Sequence, residues 1–260
     1  MRPVEFSSFV NDLATASGQA ILPFFRTSLV THDKSGGVAF DPVTEADKAG
    51  ETAMRRMITQ FFPAHGIVGE EFGAERADAE FVWVLDPIDG TRAFMSGLPL
   101  WGTLIGLTRG GVPAYGMMHQ PFIGERFSGD GGSAHYRGPH GERRLLTRRC
   151  PSLADATLST TSPKLFEPDA LAAYERVESA VRLARYGYDC YAYCMLAAGQ
   201  IDLVIETGLK PYDIVALIPI IEGAGGVVTN WTGGSAAEGG AVVACGDPRL
   251  HGPVLDRLNR

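Results

Sequence analysis

Asp86 and Asp89 stand three residues apart in Trp83-Val84-Leu85-Asp86-Pro87-Ile88-Asp89-Gly90-Thr91, directly after an apolar run. A run of this kind reads as a strand buried on both faces that delivers Asp86 to its C-terminal end, with Pro87 favouring a turn immediately afterwards. Across that turn the two carboxylates point to the same side. Two carboxylates leaving an apolar strand together repel each other and lose hydration, and a buried unpaired charge costs on the order of several kcal/mol. A hard divalent cation such as Mg²⁺ removes the conflict, because it takes carboxylate, carbonyl and water oxygens. The alternative is that Asp86 caps the next helix and Asp89 makes a turn hydrogen bond. Acidic residues at the ends of other elements favour the cation: Glu70-Glu71 follows Ile67-Val68, Asp47 stands at a helix start, and Asp213 opens a helix after Lys210-Pro211-Tyr212. Open α/β folds place ligands at such ends. Gly90 and Thr91, at the turn before Arg92-Ala93-Phe94, add backbone N–H groups that can hold a phosphate, and the helix after Asp213 offers a second positive dipole end. Cations and N–H donors around an oxyanion are the equipment of phosphate-ester hydrolysis.

The elements that must position these groups are written in the periodicity. Phe6, Phe9, Val10, Leu13, Ala16, Ala20, Ile21 and Phe24 recur at helical spacing. A loop rich in Gly and Ser follows over 33–38, and a second helix is predicted over 44–62, with Thr44 and Asp47 at capping-box spacing. Strands are predicted at 67–68, 81–85, 98–107 and 111–118, then a hairpin over 122–136 with a Gly-rich tip. The segment 137–150 is Arg-rich (Arg143, Arg144, Arg148, Arg149) and reads as a hairpin and linker, with a phosphate-facing patch as the alternative. It sets a boundary between an N-terminal α+β half, 1–150, carrying metal and phosphate motifs, and a C-terminal α/β half, 151–260, carrying specificity residues and the last metal aspartate. Beyond Pro151, short strands and helices alternate: 157–160, 170–179, 181–184, 188–198, 203–205, 212–223, 227–229 and 241–244. Gly223-Ala224-Gly225-Gly226 lacks the third glycine of a dinucleotide loop and reads as a helix-ending turn. Tyr186, Tyr188, Tyr191 and Tyr193 read either as packing or as a wall for a flat ring.

Composition narrows the classes. The 260 residues suffice for one large domain or two packed halves, and 45% hydrophobic with 20% charged residues is ordinary globular usage. With 23 basic against 30 acidic residues the net charge is -7, which argues against a nucleic-acid partner. No stretch is long and apolar enough for a membrane span, and Met1-Arg2-Pro3-Val4-Glu5 lacks the pattern of a secretion signal, so a cytoplasmic protein is expected. Cys150, Cys190, Cys194 and Cys245 have neither CxxC nor framework spacing and read as buried filler, and the six histidines form no zinc motif.

Asp41-Pro42-Val43-Thr44-Glu45-Ala46-Asp47, Gly69-Glu70-Glu71, Asp86-Pro87-Ile88-Asp89-Gly90-Thr91 and Tyr212-Asp213 with Glu222-Gly223-Ala224-Gly225-Gly226, in this order, resemble the inositol monophosphatase superfamily. Asp89-Gly90-Thr91-Arg92-Ala93-Phe94, Gly97-Leu98-Pro99 with Trp101-Gly102-Thr103, and Asp189-Cys190-Tyr191-Ala192-Tyr193 are similar to its histidinol-phosphate phosphatase branch. The resemblance implies a five-layered αβαβα sandwich of the α+β or α/β class, a homodimer, and lithium inhibition. It implies two or three Mg²⁺ ions held by Glu70, Asp86, the Ile88 carbonyl, Asp89 and Asp213. Asp47, Thr91 and Glu70 then serve catalysis, with Asp47 and Thr91 orienting the attacking water, and Gly90 and Thr91 cradle the phosphate. The family's Trp-Asp is Tyr212-Asp213 here, a departure beside the metal ligand that keeps the ligand itself.

The expected reaction is direct attack of a metal-activated water on a phosphate monoester. Asp189 and Glu206 match positions facing the leaving alcohol, where carboxylates suit the ammonium and imidazole of histidinol phosphate. A bisphosphate would instead require basic residues. Arg185 is the nearest basic candidate for substrate binding, or else pairs with a neighbouring carboxylate, and Arg92 is another basic candidate. The rival expectations are an inositol-1-monophosphatase of broad specificity, and a regulatory binding protein on the same scaffold.

Overall fold

In the computed structural model, which describes residues 3–27, 31–33 and 42–260, the first periodic segment is helix α1 (Pro3–Ile21). Phe9, Val10, Leu13 and Ala14 are its buried stripe. Strands β1 (Thr31–Asp33) and β2 (Pro42–Thr44) pair antiparallel and lead into α2 (Glu45–Phe61). The glycine-rich loop from residue 34 on, Asp41, and the side chain of Thr44 with its expected cap lie outside the described residues. The buried face of α2 carries Ala46, Gly50, Met54 and Ile58, and with them Asp47 and Glu51. Pro63 disfavours helical backbone at Phe62, and α2 stops at Phe61.

Next come β3 (Gly66–Gly69), β4 (Gly73–Glu75), β5 (Phe81–Asp89), the short α3 (Thr91–Met95), β6 (Gly102–Arg109), β7 (Val112–Gln120), β8 (Glu125–Gly129), β9 (Ala134–Gly138) and β10 (Gly141–Arg144). They form a sheet in the order β10-β9-β8-β7-β6-β5-β3-β4, antiparallel except for β3 beside β5. The strand expected over 98–107 starts only at Gly102, because Gly97, at a φ of 71°, and Leu98, whose N–H donates to the Ala93 carbonyl, close α3 first. β5 is apolar throughout because both its faces are covered. Trp83 and Leu85 pack with Leu13, Met54 and Ile58 of the first two helices, whereas Val84 faces the opposite side with Leu104, Met118 and Phe127.

The strand assignments switch to a second sheet after the Arg-rich segment. There Arg148 Nε donates to buried Asp202 at 2.7 Å and Arg143 lies over the Tyr136 ring at 4.6 Å. The later elements are β11 (Thr157–Thr160), α4 (Pro168–Glu178), β12 (Leu183–Tyr186), α5 (Asp189–Ala197), β13 (Leu203–Leu209), α6 (Pro211–Ile214), α7 (Leu217–Gly223), β14 (Val227–Asn230), β15 (Gly240–Cys245) and α8 (His251–Leu258). The strand order is β12-β11-β13-β15-β14, with β11 parallel to both neighbours and β15 antiparallel to both of its own. Leu203 and Ile205 pack on α4 and α8 with Tyr174, Val177 and Val254. Val204, Val242 and Ala244 face the other way and share one core with Leu196 of α5, Ile220 of α7 and Val84 of the first sheet. The layers therefore run helix, sheet, helix, sheet, helix.

The helix expected over 212–223 is broken at Val215-Ala216 into α6 and α7. That break lies on a row of glycines, Gly106, Gly116 and Gly129, which are direct cross-strand partners on β6, β7 and β8. A methyl group on Gly106 would run into Val215, on Gly116 into the Ala216 backbone, and on Gly129 into Pro219 and Ile220. The bare backbone lets the middle helices sit directly on the first sheet. The Gly223 to Gly226 segment ends α7, with Gly225 at a φ of 97°, as the turn reading expects. All four cysteines are buried free thiols, and among the described residues no helix is long and apolar enough to cross a membrane.

Candidate active site

β5 does not stop at Asp86, as the turn reading had it. Asp86 pairs with Leu104 and Asp89 with Gly102, so Pro87 and Ile88 together oppose Thr103 alone. This is a bulge, and it suits proline, which has no N–H to give the ladder. The Thr103 hydroxyl donates to the Pro87 carbonyl at 2.8 Å, and Ile88 N–H donates to Asp86 Oδ1 at 3.0 Å. The turn follows at Gly90, whose φ of 91° favours glycine. The result is convergence: one carboxylate oxygen each of Asp86, Asp89 and Asp213 lie within 4.8 Å of one another.

Separate elements hold each acid. Cys190 N–H, in the first turn of α5, donates to Asp89 Oδ2 at 2.6 Å, tying that helix to the end of β5. Lys210 N–H donates to Asp213 Oδ2 at 2.7 Å, fixing that acid in α6. Glu70 directly follows β3, and its N–H extends the pairing by donating to the Leu85 carbonyl at 3.2 Å. The turn that carries it is held from α2 by Glu51, which accepts from Glu71 N–H (2.7 Å), Phe72 N–H (3.2 Å) and Arg55 Nε (2.7 Å). Sequence reading missed Glu51. Its signal was present, since Asp47 and Glu51 are four apart on the otherwise apolar face of an amphipathic helix.

Asp86 is held well above the usual carboxylate range, first by burial and then by the negative charges of Glu70, Asp89, Asp213 and Asp47. Asp89 is raised likewise, by burial and then by Asp189 and Asp213, against the pull of the Cys190 donor. Acids that obstruct one another's ionisation in a buried cleft, offering only hard oxygens, are the donor set a divalent cation fits.

The facing wall comes from the second sheet. Glu206, buried on β13, accepts from Thr161 N–H (2.7 Å) and Thr161 Oγ1 (3.0 Å) through one oxygen and from Thr160 Oγ1 (3.2 Å) through the other. Thr161 Oγ1 also lies 3.3 Å from Asp189 Oδ1. Burial pushes Glu206 up to about 8, opposed by its threonine donors. Such a carboxyl keeps its proton when folded and loses it when unfolded, so the native state is penalised progressively from about pH 4.5 to about pH 8. Glu206→Gln is therefore expected to leave the melting temperature of the ligand-free protein nearly unchanged at pH 4 and to raise it at pH 8.5. Thermal denaturation at the two pH values measures this, and an equal shift at both would contradict it.

A cleft of about 290 Å³ brings Glu70, Asp86, Ile88, Asp89 and Asp213 together with Gly90 and Thr91 on one side and Asp189 and Glu206 on the other. Asp47 is buried in the first turn of α2, where its charge reaches Asp86, but it does not line the cleft. Arg185 is the exception among the expected site residues. Its side chain is exposed on β12, donating from Nε to the Tyr188 hydroxyl at 2.9 Å and lying over that ring, outside the cleft. Burial raises Asp189 above the usual carboxylate range, opposed by the Thr161 hydroxyl and the charge of Arg92, and Arg92 and Lys210 are the basic groups that do line the cleft. The four tyrosines form no common wall: Tyr186 bonds Glu178, Tyr191 bonds Glu125, and only Tyr193 lines the cleft.

The family model described as the inositol monophosphatase family matches residues 3–258. The chain is 46% identical to the bifunctional phosphatase IMPL2, chloroplastic, of Arabidopsis thaliana, across 97% of this chain and 75% of that protein. It is 34% identical to a histidinol-phosphatase of Mycobacterium tuberculosis, across 84% of this chain and 85% of that one. Among solved structures, an inositol monophosphatase from Zymomonas mobilis superposes with a TM-score of 0.89 at 39% identity, covering 100% of both chains.

Proposed function

This chain belongs to the inositol monophosphatase family of metal-dependent phosphatases, and we propose that within it the chain is a Mg²⁺-dependent histidinol-phosphate phosphatase, releasing L-histidinol and phosphate. The observation that carries the choice of ester is the pair of carboxylates, Asp189 and Glu206, joined by Thr161 on the wall facing the acidic cluster. Acids there suit a leaving alcohol that bears an ammonium and an imidazole. The likeness to a protein named histidinol-phosphatase supports the same choice.

Glu70, Asp86, the Ile88 carbonyl, Asp89 and Asp213 would hold two or three Mg²⁺ ions. When bound, the ions make a water a better nucleophile at neutral pH and offset charge on the phosphate and leaving oxygens. The chain's own residues do the rest. Thr91 Oγ1 spends its proton on the Ile88 carbonyl at 3.0 Å, so its lone pairs face outward as acceptors for a proton of the attacking water. Glu70 orients that water from the cluster side, and Asp47, buried behind the cleft in the first turn of α2, acts through the acids its charge reaches. The N–H groups of Gly90 and Thr91 hold the phosphate oxygens, and Asp189 and Glu206 hold the alcohol. Arg185 has no part in this assignment.

A comparison of kcat/KM for histidinol phosphate, inositol-1-phosphate and fructose-1,6-bisphosphate, with and without chelator, tests the reading. Turnover should be greatest with histidinol phosphate, vanish with chelator and return with Mg²⁺. A preference for inositol-1-phosphate would establish the second reading, which is favoured by Glu206 as an acceptor for sugar-like hydroxyls. No turnover of any ester would leave a regulatory binding protein. Asp189→Ala is expected to raise the KM for histidinol phosphate about tenfold, the worth of a charge-assisted hydrogen bond, with a smaller change for inositol-1-phosphate. Equal changes would remove Asp189 from substrate choice. A cytoplasmic homodimer sensitive to lithium completes the proposal, to be checked by sedimentation, cell fractionation and Li⁺ titration.

A further inference from the structure

Tyr193 lies four residues after Asp189 on α5, and both residues line the cleft. Its hydroxyl is buried and has no hydrogen-bond partner among the described residues, although the residue lines the cleft. Trp101 Nε1, Gln120 Nε2 and Ser159 Oγ share the first property, but none of these residues lines the cleft. A buried hydroxyl without a partner destabilises the state in which it occurs, and a phenyl ring fills the same volume without that cost. Retaining the oxygen is explained by a partner that arrives with the ligand. Burial and the charges of Glu206, Asp89 and Asp213 hold the phenol well above its ordinary range, so it arrives at that encounter as a neutral O–H donor.

We propose that Tyr193 is a specificity-determining residue whose hydroxyl donates a hydrogen bond to the alcohol portion of the phosphate ester, beside Glu206. The wall then offers acceptors, Asp189 and Glu206, and one donor, Tyr193. That combination fits a leaving alcohol carrying both kinds of group, as a neutral imidazole does with one N–H and one bare nitrogen. A simple aryl or alkyl ester has no acceptor on that side to receive the O–H. The inference rests on the cleft being the site of phosphomonoester hydrolysis.

Tyr193→Phe in the full chain with Mg²⁺ tests it. For histidinol phosphate, kcat/KM should fall about five- to tenfold, mainly through KM, the worth of one hydrogen bond to a bound ligand. For phenyl phosphate the fall should be several times smaller, and the melting temperature without metal or ester should not drop. Equal losses on both esters would place the hydroxyl on the phosphate or the cations and overturn the assignment. So would unchanged kinetics, or a lower ligand-free melting temperature, which would reveal a partner within the protein. The two levels fail separately. If wild type releases phosphate and Asp89→Asn does not, while Tyr193→Phe matches wild type, only the tyrosine assignment falls. If wild type hydrolyses no ester, the reading of the cleft falls and takes the tyrosine with it.

Discussion

Asp89→Asn should lower kcat/KM by more than about a hundredfold while the protein stays folded. Groups that only support metal ligands typically cost about 10–100-fold when replaced, so a ligand itself should cost more. The amide is isosteric and its oxygen can keep accepting the Cys190 N–H that now reaches Asp89 Oδ2 at 2.6 Å. The variant also loses the charge that opposes Asp213 and Asp189, so metal-free stability should hold or rise. Steady-state kinetics, Mg²⁺ titration calorimetry and a metal-free melting curve measure the three parts. Phosphate release at the wild-type rate would remove Asp89 from the cation site.

Glu51→Ala should be the most destabilising single change near the site, by about 3–5 kcal/mol, because it breaks a buried ion pair from one side. Glu51 is 0% exposed, and its removal strands Arg55 Nε and the N–H groups of Glu71 and Phe72 together. Gly69 makes the room this carboxylate occupies, since even a methyl group at that position would overlap it. Urea denaturation gives the stability change. Activity measured well below the midpoint then reports whether the Glu70 turn has shifted. Glu51→Gln keeps an oxygen for the backbone donors and should lose less on both counts. A stability change below about 0.5 kcal/mol in Glu51→Ala, the size usual for surface substitutions, would contradict the role given to this carboxylate.

The sequence was most readable where a local pattern and a chemical motif coincide. The run before Asp86 had to be a doubly covered strand, and the acids at the ends of β3, α2 and α6 marked one end of the fold. What could not be read was anything that depends on register between distant segments. The bulge at Pro87 exists because Thr103 stands alone opposite two residues, a count that no inspection of β5 reveals. Arg185 lies close in sequence to Asp189, yet the left-handed backbone of Asp189, at a φ of 43°, sends α5 toward the cleft while β12 leaves Arg185 at the surface. Thr161 was overlooked because its importance comes from touching Glu206 and Asp189, 45 and 28 residues away. Glu51 was open to notice as a carboxylate on the otherwise apolar face of α2, whereas Tyr193 stands out in the sequence only as one ring among four tyrosines, because nothing local shows that its hydroxyl is buried without a partner.

The glycine row beneath the α6–α7 break and α7 has a bearing on how this molecule tolerates change. Asp213 stands two residues before Val215-Ala216, and that junction and the start of α7 are seated on Gly106, Gly116 and Gly129, positions that offer no reactive atom. A misplacement of about 1 Å in a reacting geometry can cost about a hundredfold in rate. Three absent side chains thus set the seat of the segment that follows Asp213, and a mutational survey guided by chemical reactivity would overlook these positions.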